Sequence, residues 1–145
     1  MCGKDKCACP YCLTDVAFYQ SACSKCGVGI YPLYADRYSS HPPFFVQVFG
    51  WPRVGKTVFL SALTLVLRKM GKVWPDYSLL PATDAAQTKI VEINRYLAKG
   101  VMPEATQRGK SDVYIMILQS TERWGDRMLV TRDCSGEIFD TFQVS

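Results

Sequence analysis

One stretch of the chain has the spacing of a phosphate-binding loop. It runs from Gly50 to Thr57 and reads GWPRVGKT. Glycines at its first and sixth positions let the backbone curl so that N–H groups point at phosphate oxygens. The Lys56 ammonium would neutralise the β- and γ-phosphates, and the Thr57 hydroxyl would ligate magnesium. The pattern therefore predicts binding of a nucleoside triphosphate with magnesium, through the contact residues Gly50, Arg53, Val54, Gly55, Lys56, Thr57 and Val58.

The segments on either side of this loop have the order that phosphate binding requires. Phe44 to Phe49 is a short apolar run that predicts a buried strand. Lys56 to Met70 has the apolar periodicity of a well-buried helix that ends at a Gly71 cap. The competing interpretation is a strand–turn–helix unit in which the glycines occur by chance, but a strand directly before the loop and a helix directly after it favour phosphate binding.

A carboxylate motif follows a later strand. Met128 to Thr131 predicts the strand, and Asp133 and Gly136 follow it with the spacing Asp-x-x-Gly. A carboxylate at the end of a strand can lie beside the magnesium of a phosphate loop, and a glycine lets a backbone N–H approach the γ-phosphate with no Cβ in the way. The same spacing also describes a plain turn after an edge strand, so both interpretations stay open.

Two further segments complete an α/β pattern. Ala85 to Lys99 predicts a helix, with Asp84 as its N-cap and Gly100 as its stop. Val113 to Leu118 predicts a strand that forms a β-hairpin with Met128 to Thr131, because turn-forming residues occur between them. The expected fold class is α/β.

Six of the seven cysteines lie in the first 26 residues. Four of them form two Cys-x-x-Cys pairs, Cys9 with Cys12 and Cys23 with Cys26. Two such pairs with a short spacer can converge tetrahedrally on zinc, so this segment resembles a short zinc ribbon. The alternatives are reduced cysteines that bind no metal, an iron–sulfur cluster, and a zinc site in which Cys7 replaces Cys9. Cys2 is a weaker candidate ligand.

The phosphate loop, the hairpin and the residues from Asp133 to Glu137 resemble the TRAFAC class of P-loop GTPases. Within that class the chain is most similar to bacterial and archaeal double-GTPase-like proteins, in which a cysteine-rich zinc module can precede the GTPase domain. The resemblance covers residues 44–142 and implies a P-loop NTPase core, partial here with about three strands, after a small four-cysteine zinc ribbon. It implies that GTP is preferred over ATP and that Lys56, Asp133 and Glu137 have catalytic roles.

The resemblance also implies a nucleotide-dependent switch. Thr106 matches the threonine that closes on magnesium and the γ-phosphate, with Thr83 and Thr88 as alternatives, and Gly136 would approach the same phosphate. Small GTPases have glutamine where this chain has Glu137, which puts the hydrolysis rate in question. No Asn/Thr-Lys-x-Asp motif for reading guanine follows Asp133, so we expect this chain to be the N-terminal part of a longer protein.

Composition limits the remaining function classes. The formal net charge of +4 over 145 residues is too weak to indicate nucleic-acid binding. The longest apolar run, Val58 to Leu67, is about half of what a bilayer crossing needs, and no secretory signal is visible. We therefore expect a cytoplasmic protein with no membrane span. The expected domains are a zinc-ribbon-like module over residues 1–30, a linker over 31–43 and a C-terminally incomplete NTPase domain over 44–145.

Two functions agree with these features. The first is a magnesium-dependent molecular switch that binds and hydrolyses a nucleoside triphosphate, with the zinc ribbon as a stabilising module and the docking site of a protein partner. The second is a zinc-ribbon adaptor whose P-loop domain binds nucleotide without turning it over.

Overall fold

A four-stranded mixed sheet is the centre of the molecule. The structure, a computed structural model, describes residues 5–51, 54–101, 111–120 and 125–134. In chain order the elements are β1 (Lys6–Ala8), β2 (Asp15–Ala17), α1 (Pro32–Arg37), β3 (Pro43–Val48), α2 (Lys56–Lys69), a 3₁₀ turn (Met70–Lys72), β4 (Tyr77–Pro81), α3 (Asp84–Lys99), β5 (Ser111–Ser120) and β6 (Arg127–Cys134).

The sheet has the strand order β3-β6-β5-β4. The first pair, β3 with β6, is parallel, and both other pairs are antiparallel. In this register Val48 lies opposite Asp133, and Asp112 lies opposite Asp133 on the other side. The strands β1 and β2 form a separate antiparallel pair in the cysteine-rich segment.

The two faces of the sheet have different coverings, because side chains alternate along each strand. One face packs against the cysteine-rich segment in a single apolar cluster that includes Cys7, Cys9, Val16, Cys23, Ile30, Tyr34, Val113, Ile115, Met128 and Val130. The other face packs beneath the helices in a second cluster of Leu79, Ala86, Ile90, Met116 and Leu129. The molecule therefore has three layers, in which the cysteine-rich segment covers one side of the sheet.

The strand predictions are confirmed in part. Both segments of the expected hairpin lie inside β5 and β6, which pair antiparallel. The sequence analysis missed β4, an edge strand of five residues that ends at Pro81. The strand before the loop is present as β3, but the prediction that it is buried is wrong. Phe44 is 57% exposed and Phe45 is 40% exposed, because β3 is the edge strand of the sheet that the structure describes.

The helix predictions also need corrections. The N-cap of α3 is Thr83 and not Asp84, since the Thr83 hydroxyl accepts a hydrogen bond of 3.1 Å from the Ala86 N–H. Gly71 lies within the 3₁₀ turn after α2 and does not cap the helix. The expectation that α2 is well buried on all sides is wrong, because Phe59 is 56% exposed and Val66 is 57% exposed.

The expected linker contains the short helix α1. It begins at Pro32, a residue that suits the first helical position because it has no N–H to leave unpaired. The Tyr34 hydroxyl donates a hydrogen bond of 2.6 Å to the Ala8 carbonyl, so the helix holds the cysteine-rich segment in place. Among the described residues no helix combines the length and the apolar character needed to cross a bilayer.

Candidate functional site

The four predicted zinc ligands meet at one point. The Sγ atoms of Cys9, Cys12, Cys23 and Cys26 all lie within 4.8 Å of one another. The closest pairs are Cys12 with Cys23 at 3.5 Å and Cys9 with Cys26 at 3.7 Å. Four sulfurs placed tetrahedrally around zinc at a Zn–S distance of about 2.3 Å are about 3.8 Å apart. The cluster can therefore hold a metal ion such as zinc.

Two similar turns bring these cysteines together. In the first turn the Leu13 N–H donates to the Cys9 carbonyl at 2.9 Å, and in the second the Gly27 N–H donates to the Cys23 carbonyl at 2.8 Å. The fourth residue after the first cysteine has a left-handed backbone in both turns, with φ of 61° at Leu13 and 70° at Gly27. Glycine adopts this conformation without strain, whereas leucine does not.

The thiols of the first pair differ in acidity. Burial raises the pKa of the Cys9 thiol to about 12. A hydrogen bond to the Thr14 side chain is the main cause that lowers the pKa of Cys12 to about 6. A bound metal cation favours the thiolate form of every ligand, so it would displace the proton that Cys9 otherwise keeps.

Cys7 lies near the cluster but is not part of it. It is fully buried, and the set of possible ligands contains Cys9 and not Cys7. Of the two sequence alternatives, the arrangement therefore favours Cys9.

The cysteine-rich segment also contacts the end of β6. The Arg132 Nη1 donates a hydrogen bond of 2.5 Å to the carbonyl of Tyr11, which lies between Cys9 and Cys12 in the sequence. Arg132 and Asp133 are consecutive residues of one strand, so their side chains project to opposite faces of the sheet. Arg132 points at the cysteine cluster, and Asp133 lies on the side of the helices.

The predicted phosphate loop connects β3 to α2. Gly55 has φ of 86° and immediately precedes the helix. The Lys56 side chain is nearly buried, and its Nζ donates hydrogen bonds of 2.9 Å to the carbonyls of Gly50 and Trp51. An ammonium group has three donor hydrogens, and these two bonds engage two of them. Lys56 thus draws the two ends of the loop together.

A cleft opens between α2, α3 and the sheet. Thr57 from the first turn of α2 and Asp133 from the end of β6 both line it. Ser61 and Thr64 continue the α2 wall, and Lys89 of α3 and Tyr114 of β5 line it from the other side. The structure therefore brings the two predicted magnesium ligands, which are far apart in the sequence, to one cleft next to the loop.

Tyr114 lines the cleft and has both acidic and basic side chains near its ring. Burial is the main cause that raises the pKa of its hydroxyl far above the usual range, and the carboxylates of Asp112, Asp133 and Glu92 add to the effect. The Lys89 Nζ lies 5.5 Å from the centre of the Tyr114 ring, a distance typical of a cation–π contact. Lys89 and Asp133 are therefore the charged residues among those that line the cleft.

Some predicted site residues lie outside the described part of the chain. These are Arg53, Thr106, Gly136 and Glu137. Among the described ones, Val54 is 60% exposed in the loop and Val58 is half-buried in the first turn of α2. The sequence analysis missed Lys89, Tyr114 and Arg132. None belongs to a motif, and only the alternation of side chains along β5 and β6 could have placed Tyr114 on the same face as Asp133.

Comparison with known proteins assigns no family to this chain. No family model, no curated protein and no solved structure matches this chain. Its function must therefore be argued from its own residues.

Proposed function

We propose that this protein binds a nucleoside triphosphate with magnesium, with GTP preferred over ATP, and hydrolyses it as a molecular switch. The observation that carries the proposal is that Thr57 and Asp133 line the same cleft, next to the loop whose two ends Lys56 joins. Chance glycines between a strand and a helix would not explain why a distant carboxylate shares a cleft with the threonine of the motif.

The donor set of the cleft suits magnesium. Mg²⁺ prefers hard oxygen ligands and is usually held by one or two protein oxygens together with phosphate oxygens and waters. The Thr57 hydroxyl and the Asp133 carboxylate are oxygens of this kind, and we propose them as the protein ligands. Bound magnesium would supply charge neutralisation for the β- and γ-phosphates.

Lys56 has the role of the phosphate-binding cation. Its ammonium now bonds two loop carbonyls, and the same position lets it bond phosphate oxygens held inside the loop. The roles of Thr106, Gly136 and Glu137 rest on the resemblance to P-loop GTPases, and so does the preference for guanine.

Titration with a fluorescent triphosphate tests the proposal. Lys56→Ala should abolish binding, because it removes the full charge that the loop offers to the phosphates. Lys69→Ala is the matched control, since Lys69 is an exposed lysine in the last turn of the same helix. Asp133→Ala should weaken magnesium-dependent triphosphate binding more than magnesium-free diphosphate binding. Equal affinity of the wild type and Lys56→Ala would refute nucleotide binding through this loop.

The switch has its own test. Limited proteolysis is compared with diphosphate and with a non-hydrolysable triphosphate, in the wild type and in Gly136→Ala. We expect protection to differ between the two nucleotides only in the wild type, since a Cβ at Gly136 would block the N–H that approaches the γ-phosphate. Equal protection in the wild type would favour an adaptor that binds nucleotide without turnover, a second candidate that Glu137 in place of glutamine also favours.

We further propose that the metal of the four-cysteine cluster is zinc and that its module docks a protein partner. Four thiolates in a closed tetrahedral site are typical of structural zinc. Cys9, Cys12, Cys23 and Cys26 form no disulfide, which suits a reducing compartment, and we propose the cytoplasm. Metal analysis of the purified protein should find one zinc per chain, and a folded, metal-free module would refute this part.

A further inference from the structure

Lys89 is a charged residue of the cleft that no motif explains. It lies on the wall of α3 that faces the cleft, together with Ala86, Ile90 and Ile93. Lys89 is three residues after Ala86 and four before Ile93, so these three residues share one helix face. Lys89 is the charged residue of this otherwise apolar face, and its side chain is half-buried.

The Tyr114 ring holds this ammonium in position. The Nζ lies 5.5 Å from the ring centre, so the flexible lysine side chain has a preferred site over the ring face. Tyr114 lies opposite Thr131 in the sheet, and Asp133 is two residues farther along the same face of β6. Tyr114 and Asp133 are therefore diagonal neighbours, and such neighbours are about 7–8 Å apart. A lysine side chain over the Tyr114 ring can span that distance toward Asp133.

We propose that Lys89 is a second phosphate-binding cation of the nucleotide site, that it contacts the terminal phosphate of a triphosphate, and that Tyr114 is its positioning residue. This inference rests on the proposed function and assigns to α3 a role that neither the loop nor the Asp133 motif contains. Lys89 belongs to α3 and Lys56 to the start of α2, so the two ammonium groups would approach the phosphates from different elements. A diphosphate has no γ-phosphate, so a cation that contacts this group gives the site its preference for triphosphate.

A purely structural role for Lys89 would give a different result in a nucleotide-binding assay. Asp112, Asp133 and Glu92 all act on Tyr114, so Lys89 could serve only as their counter-charge. A counter-charge stabilises the protein equally whichever nucleotide is bound. A phosphate-binding cation instead changes the ratio of the affinities for triphosphate and diphosphate.

The experiment measures both affinities, with magnesium, in the full chain. Lys89→Met should weaken triphosphate binding by about tenfold or more and diphosphate binding by less than about threefold, because a charge-assisted bond to the terminal phosphate is lost. Lys89→Arg, which keeps the charge, should restore most of the ratio. Lys99→Met is the matched control, an exposed lysine in the last turn of α3, and should leave both affinities unchanged.

Tyr114 is tested in the same assay. Tyr114→Leu removes the ring and should reduce the affinity ratio in the direction of Lys89→Met, whereas Tyr114→Phe keeps the ring and should reduce it less. If Lys89→Met does not fold, Lys89→Gln keeps a polar side chain of similar length and is used in its place.

The possible outcomes separate the two proposals. If the wild type binds nucleotide and the Lys89 variant keeps the wild-type affinity ratio, the role of Lys89 is refuted and the proposed function stands. If the wild type binds neither nucleotide, both proposals are refuted together.

Discussion

Removal of the metal should unfold the α/β layers as well as the cysteine-rich segment. The sheet face that packs against that segment contains four large buried residues, Val113, Ile115, Met128 and Val130, each at most 5% exposed. Exposing a large apolar side chain costs roughly 1.5–3 kcal/mol, so detaching the segment would cost on the order of 6–12 kcal/mol. That is comparable with the whole stability of an ordinary domain, about 5–15 kcal/mol.

The assay is urea denaturation before and after a strong zinc chelator, followed by far-UV circular dichroism. The helical signal comes mainly from α2 and α3, which lie on the face of the sheet away from the cysteines. Loss of this signal would therefore show that the helices depend on the cysteine-rich segment through the sheet that lies between them. We expect the chelated protein to lose most of its helical signal without urea, or to have a much lower midpoint.

Two cysteine variants serve as controls for the metal site. Cys12→Ser should lose the metal and behave like the chelated protein, because it removes one of the four converging sulfurs. Cys7→Ala should keep one metal ion per chain, since Cys7 is not in the ligand set, although it leaves a small cavity in the apolar cluster. The reasoning is refuted if the chelated protein keeps its helical signal and its urea midpoint while the cysteine-rich segment becomes sensitive to protease.

Three smaller predictions concern single contacts. Arg132→Met should lower the urea midpoint and speed metal loss to a chelator, because it removes the hydrogen bond to the Tyr11 carbonyl between two ligands; unchanged metal loss would contradict the link. Thr83→Ala should cost about 1 kcal/mol of unfolding free energy and Asp84→Ala less, since the capping hydroxyl belongs to Thr83; the reverse order would restore Asp84 as the cap. Leu13→Gly should keep the metal and not reduce stability, because it relieves a left-handed leucine that costs about 1–2 kcal/mol, and a lower melting temperature would contradict this.

Local spacing allowed the sequence to predict which four cysteines converge. Each cysteine pair lies within one turn of a few residues, so the spacing of the pair and the residue after it determine where the sulfurs point. The strands β5 and β6 and the helix α3 were likewise predictable, because their apolar periodicity extends over enough residues to give a clear signal. The strand β4 was not predictable, since five residues that end in proline carry too little of that signal.

The composition of the cleft depended on the tertiary structure. Lys89, Tyr114 and Asp133 come from three elements, and their proximity depends on the register of β5 with β6 and on where α3 crosses the sheet. A shift of one residue in that register would move each side chain of the strand to the opposite face. The same holds for Arg132, whose contact with the cysteine-rich segment requires the opposite face from Asp133. The sequence by itself determined where the cysteine pairs and the glycine-rich loop occur. The packing of the three layers decided which side chains meet, because such contacts depend on the positions of all the elements together.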